Sequence, residues 1–179
     1  MGSFIRNLRF AHKFLLIAVL AALMLAVPTV IFVQAHLADI ATAKKEVNGL
    51  EPIQAVMTLT QLTQQHRGLS AGVLAGNEAQ AAARQAKEAQ VSQALATAHA
   101  ALVPLGSPPL LELATRITQD WKALSGAVAA KSLAGPESFT RHTALIADQM
   151  SLTEDISNRV GIALDPTEAG YFLQAAVLQ

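Results

Sequence analysis

The run from Phe14 to Val33 holds twenty residues without a charge, and nothing else in the chain limits its fold as strongly. At about 1.5 Å of rise per residue, a helix of that length crosses a hydrocarbon core of roughly 30 Å. A cleavable signal segment has an apolar centre of about 7–15 residues and a small-residue cleavage site. This run is longer, and Val33-Gln34-Ala35 makes a poor site, so an uncleaved anchor is expected. Pro28 inside the run fits a span, because membrane helices tolerate proline. Arg6, Arg9, His12 and Lys13 precede the run, and the next Lys/Arg are Lys44 and Lys45. That bias predicts a cytoplasmic amino terminus. The expected division is 1–13 cytoplasmic, 14–33 transmembrane, and 34–179 an extracytoplasmic helical domain.

About 145 residues remain for that domain, enough for one core. Aromatics make up only 4% of the chain, too few for a β-rich core built on Tyr, Phe and Trp. From Gln34 onward ten Lys/Arg face thirteen Asp/Glu, a slightly acidic balance that argues against a nucleic-acid partner. With no cysteine, a disulfide framework, a thiolate metal site and a thiol nucleophile are all excluded.

Beyond the anchor the spacing is helical throughout. Gly49-Leu50-Glu51-Pro52 reads as a kink in the first long helix. Gly76-Asn77-Glu78 reads as a stop and a start, with Gly76 left-handed and Asn77 capping. Pro104 to Pro109 makes a rigid connection in which Ser107 caps and Pro108 takes the first helical position. Leu133-Ala134-Gly135-Pro136 and Asp165-Pro166-Thr167-Glu168 repeat that logic. These marks bound helices of about 24, 26, 23 and 27 residues.

Their apolar residues step by three and four: Leu59, Leu62, His66, Leu69, Val73; then, weakly, Val91, Leu95, Ala98, Leu102. Leu110, Ala114, Ile117, Trp121, Leu124, Val128 follow, and then Phe139, His142, Ile146, Gln149, Thr153, Ile156, Val160. Seams of this kind joined by short loops predict an all-α fold, an antiparallel helical bundle continuing from the anchor. A last helix from Thr167, carrying Tyr171 and Phe172, has no evident packing partner, so the chain is expected to be part of a longer protein.

The candidate chemistry lies in Gln64-Gln65-His66-Arg67-Gly68-Leu69-Ser70-Ala71-Gly72. His66 falls on the seam, and Arg67 on the next stripe with Thr60, Thr63 and Ser70. A guanidinium among hydroxyls inside a bundle suits a small planar anion. The competing reading is an exposed Arg67, a hydrated His66, and glycines that only permit close packing. His142, Gln149 and Thr153 interrupt the last seam and read as buried polar residues that fix register. Arg116, Arg141 and Arg159 read as solvated cations, and Trp121 as core. Glu154 and Asp155 lie about 100° apart on a helix and make no acid–base pair. No catalytic motif is present, so no enzyme, cofactor or metal is expected.

Three stretches together resemble the sensor regions of bacterial methyl-accepting chemotaxis receptors. They are Phe4-Ile5-Arg6-Asn7-Leu8-Arg9 ahead of the anchor, the Gln65–Gly72 segment, and Leu164-Asp165-Pro166 with Tyr171-x-Leu173. The second is similar to the signature of nitrate- and nitrite-sensing helical domains, where Glu-Arg-Gly-Leu-Ser is common; His66 stands where Glu is usual. The resemblance implies a ligand-binding role for Arg67, with His66, Thr63 and Ser70 beside it. It also implies a bacterial inner-membrane protein with a periplasmic sensor domain, a small-molecule ligand, and a homodimer through the bundle. An input domain of a histidine kinase or cyclase is the alternative output. A membrane-anchored structural coiled coil is the alternative class.

Overall fold

The computed structural model describes residues 10–162. Four helices carry the chain: α1 Phe10–Leu74, α2 Ala81–Leu102, α3 Pro108–Ala129 and α4 Gly135–Val160. Single 3₁₀ turns, Glu78–Gln80 and Val103–Leu105, complete the connections. No strand occurs among the described residues, so the fold is all-α as expected. The chain divides into two compact units between Lys44 and Lys45, and each is described by itself.

The first unit is the helical stretch of α1 up to Lys44. Its apolar side chains are open: Phe14, Leu20, Met24, Ile31 and Phe32 are all more than half exposed. Within the described residues, α1 is the one helix long and apolar enough to cross a membrane. Pro28 cannot donate to the carbonyl one turn earlier, while the Thr29 hydroxyl donates to Leu25 C=O at 2.6 Å. Such back-bonding keeps a hydroxyl satisfied inside an apolar helix.

The second unit begins at Lys45 and is an antiparallel four-helix bundle. On α1 and α4 residue numbers run in opposite directions: Gly49 meets Val160, Thr63 meets Gln149, and Arg67 meets Thr143. α1 meets α2 at His66 and Arg84, and α2 meets α3 at Ser92 and Trp121. The core follows the predicted seams on α2, α3 and most of α4, whereas on α1 the seam residues Leu62 and Leu69 are only partly buried and Thr63 and Ser70 are buried in their place. All six seam residues of α3 and all four of α2 are buried. Phe139 is the exception on α4: it is half exposed, because at this end the buried face runs through Ser138 and His142 instead.

The predicted breaks fall where expected, with local differences. α1 passes through Gly49 and Pro52 without interruption, so Pro52 costs a backbone hydrogen bond and not the helix. Gly76 adopts φ +93° and ends α1. Asn77 precedes a 3₁₀ turn and makes no side-chain cap bond. Ser107 is extended ahead of Pro108 but also caps without its side chain. With Pro108 and Pro109 following, one of the usual N–H partners does not exist. The sequence reading missed Gly161, whose φ of +93° stops α4. The Asp165 cap and the helix from Thr167 lie outside the described residues.

Candidate functional site

α1 turns Thr63, His66 and Ser70 onto one face by their spacing of three and four, and all three are fully buried. α4 brings Ser138, His142 and Gln149 to meet them, also buried. α2 adds Arg84, 8% exposed, and α3 adds Trp121, whose ring meets the His66 ring edge-on at 4.8 Å between centroids.

The hydrogen bonds at the centre have one consistent direction. His142 Nδ1 lies 2.7 Å from Ser138 C=O, which can only accept, so Nδ1 carries the proton. His142 Nε2 is therefore the acceptor of the 2.9 Å bond from His66 Nδ1–H. His66 Nε2 is left as an acceptor, and it faces the Arg84 guanidinium, which can only donate, at 3.3 Å. Arg84 also reaches the Glu88 carboxylate. Ser70 Oγ, 3.3 Å from His66 Nδ1, is a second acceptor for that proton. The string runs from Arg84 through His66 and His142 to Ser138 C=O, with both imidazoles neutral.

Electrostatics agree with that assignment. Burial, then the neighbouring His142, then Arg84 push the His66 pKa down to about 3. His142 is also lowered, chiefly by burial and further by Arg67, against the opposing pull of the Ser138 carbonyl. Next to the string, Gln149 Nε2 donates to Thr63 Oγ1 at 3.1 Å, and the Thr63 hydroxyl donates to Leu59 C=O.

The four predicted ligand residues therefore separate. Thr63, His66 and Ser70 lie together inside the bundle. Arg67 stands beside them at the α1–α4 seam, half-buried, and its hydroxyl neighbour is on α4. Its Nη1 donates to Thr143 Oγ1 at 3.0 Å, and its guanidinium lies 4.6 Å above the Phe139 ring centroid. The interior cation is Arg84, which the sequence reading did not single out. A signal existed: the α2 seam extended backward from Val91 by three and then four lands on Glu88 and Arg84. His66 is held by Arg84, Ser70 and His142, in place of the water expected under the competing reading.

The other candidates resolve more simply. Arg141 pairs with Glu137 on the surface, and Arg159 reaches Leu105 C=O at 3.4 Å. Glu154 and Asp155 are exposed, and Trp121 is core. Among the described residues no group of three His, Asp or Glu is placed to hold a metal. A groove of about 580 Å³ between α2 and α3 is lined by Leu95, His99, Thr118, Trp121 and Lys122 among others. None of the four predicted ligand residues lines it.

Among the described residues one helix is a candidate membrane span, and the bundle carries two buried histidines and a buried arginine. The sequence profile of the family described as nitrate and nitrite sensing matches residues 58–167, more than half of the chain, and the chain belongs to that family. The matched segment includes Thr63, His66, Arg67, Ser70, Arg84 and His142. Neither the curated proteins nor the solved structures give a match.

Proposed function

We propose that this domain binds a small oxyanion of the nitrate and nitrite class at the α1–α4 seam, and that Arg67 is its principal contact. The observation that carries this reading is the state of Arg67. It is half-buried and forms no ion pair among the described residues, and only one of its N–H donors has an acceptor there. By contrast, Arg84 is committed to Glu88 and Arg141 to Glu137. Thr143 and the Phe139 ring hold the guanidinium in place, which leaves a planar fork of donors matched to an oxyanion. His66, Thr63 and Ser70 act from behind, by fixing the helix that presents Arg67.

The receptor setting follows from the rest of the chain. The apolar helix anchors the domain in the bacterial inner membrane. The basic start supports a cytoplasmic amino terminus and a periplasmic bundle. Ligand would bias two packing arrangements of α1 against α4, and a homodimer would relay that change. The stretches Leu164-Asp165-Pro166 and Tyr171-x-Leu173 favour a chemotaxis receptor as the output. A histidine kinase or cyclase with the same input is the second reading. No catalysis is assigned to this chain.

Isothermal titration of the full chain in detergent micelles with sodium nitrate, sodium nitrite and small carboxylates tests the proposal. Nitrate or nitrite should bind, and Arg67→Ala should weaken binding by about 10–100-fold, the worth of a charge-assisted hydrogen-bonded contact. Unchanged affinity in Arg67→Ala would remove Arg67 from the site. Absence of binding by the wild-type chain would remove the oxyanion itself.

A further inference from the structure

The buried string has room for two protons on its four ring nitrogens and no more. Three links join Arg84 N–H to Ser138 C=O, and each already has one donor and one acceptor. A third proton sets two donors against each other. Placed on His142 Nε2, it meets His66 Nδ1–H. If His66 shifts its own proton to Nε2, that proton meets the Arg84 guanidinium instead. Either way one link between helices opens: α1 to α4 in the first case, α1 to α2 in the second.

Burial is the main barrier to that proton, and the charges around the pair add to it. From α1 the cation is Arg67, which acts on His142. From α2 it is Arg84, which acts on His66 and is itself paired with Glu88. The buried residues of α3 include none that titrates. On α4, Glu137 and Arg141 pair with each other on the exposed side. The unbalanced charge next to His142 is thus the Arg67 guanidinium, the group assigned above to the anion.

We propose that the oxyanion binds together with a proton, which the His66–His142 pair takes up as the anion neutralises Arg67. This rests on the reading of Arg67 as the anion contact. The bound anion removes the repulsion that Arg67 exerts on an imidazolium at His142. The proton follows, and one of the helix-to-helix links of the string opens. By reciprocity, a lower pH tightens anion binding by the factor through which the anion favours the proton. The sensor then reports an anion and acidity jointly, and the event in the core that follows binding is the loss of a specific hydrogen bond.

Titration calorimetry of the full chain in micelles with sodium nitrate, at pH 6 in buffers of different ionisation enthalpy, counts the protons. A positive slope, a fraction of one proton taken up per anion, is expected, along with affinity that rises on acidification, by at most about tenfold per pH unit. His142→Asn should bring the slope to zero. A second readout needs no variant. Trp121 is the only tryptophan and touches the His66 ring, and an imidazolium quenches indole emission. The acid quench of its fluorescence should therefore shift to higher pH when nitrate is present. Binding without proton uptake, or a quench that nitrate does not move, overturns this proposal and leaves the Arg67 site standing. A proton slope that survives in a folded His142→Asn overturns the assignment to the pair. No binding at all overturns the Arg67 reading and this one with it.

Discussion

On α1, Ile53, Val56 and Leu59 belong to a buried apolar cluster with Leu95, Leu102, Ile117, Ile156 and Val160. Further along the same helix, Thr63, His66 and Ser70 face Arg84, Ser138, His142 and Gln149. The seam spacing is the same in both halves, and the physics is not. Apolar contacts add up without regard to direction and depend only on filled volume. Buried polar groups must each find a partner of the right sense, and one missing proton or acceptor costs the whole desolvation penalty. The apolar half is thus held by filled volume, and the polar half by matched donors and acceptors. Even there satisfaction is incomplete: the Gln149 and Gln80 side-chain oxygens are buried with no hydrogen-bond partner among the described residues.

The sharpest test of that division is Ile117→Ala. Ile117 is fully buried, and its truncation leaves a cavity among side chains that cannot close over it. A loss of about 2–5 kcal/mol is expected in denaturant unfolding of the full chain in micelles. The loss should be the same at pH 7 and pH 5, since Ile117 lies within the apolar cluster. A loss that changed with pH would show that the two halves are not separate.

Acid is the second test, and it addresses the polar half. His66 has a pKa of about 3 in the fold and an ordinary value of 6.5 in the unfolded chain. As pH falls below 6.5, the unfolded chain takes up a proton that the folded one refuses. His66 therefore gives its full contribution above 6.5, and that contribution is lost progressively down to about 3. His142 is shifted in the same direction. The slope from His66 alone is about 1.4 kcal/mol per pH unit, or roughly 2 kcal/mol between pH 6.5 and pH 5. Replacing both His66 and His142 by Leu should flatten it. A wild-type stability that does not change over that interval would refute the neutral pair.

How far these halves could be read from the sequence follows from the same contrast. The α3 seam Leu110, Ala114, Ile117, Trp121, Leu124 and Val128 is buried without exception, because apolar periodicity reports directly which face meets the core. On α1 the same periodicity puts His66 on the seam but assigns Thr63 and Ser70 to the stripe of Arg67, whereas all three are buried together. The partners of these three are not legible in the sequence. His66 meets His142 from 76 residues away and Arg84 from 18, and period carries no information about which helix lies opposite. Arg84 was further hidden by its i,i+4 pairing with Glu88 in an Ala-rich stretch, a pattern that usually marks a solvated face. Arg67 was read among Thr60, Thr63 and Ser70 on its own helix, whereas its nearest hydroxyl came from α4.

The smallest effects come from one substitution made in both halves. Gly49→Ala puts a Cβ about 2.5 Å from a Val160 methyl, and Val160 is a branched, buried residue in the apolar half with nowhere to turn. Overpacking of this kind costs about 1–3 kcal/mol, more than the roughly 1 kcal/mol that Ala gains over Gly as a helix former. Gly72→Ala instead meets the amide end of the Gln80 side chain, which is flexible and lies partly open at the polar end. Gln80 can swing outward, and doing so releases its unpartnered oxygen to water. Thermal unfolding should therefore move in opposite directions, down by a few degrees for Gly49→Ala and up slightly for Gly72→Ala, at about 2–4 °C per kcal/mol. Equal losses at the two positions would mean that the polar end is packed as tightly as the apolar one, and the contrast between the halves would rest on hydrogen bonding alone.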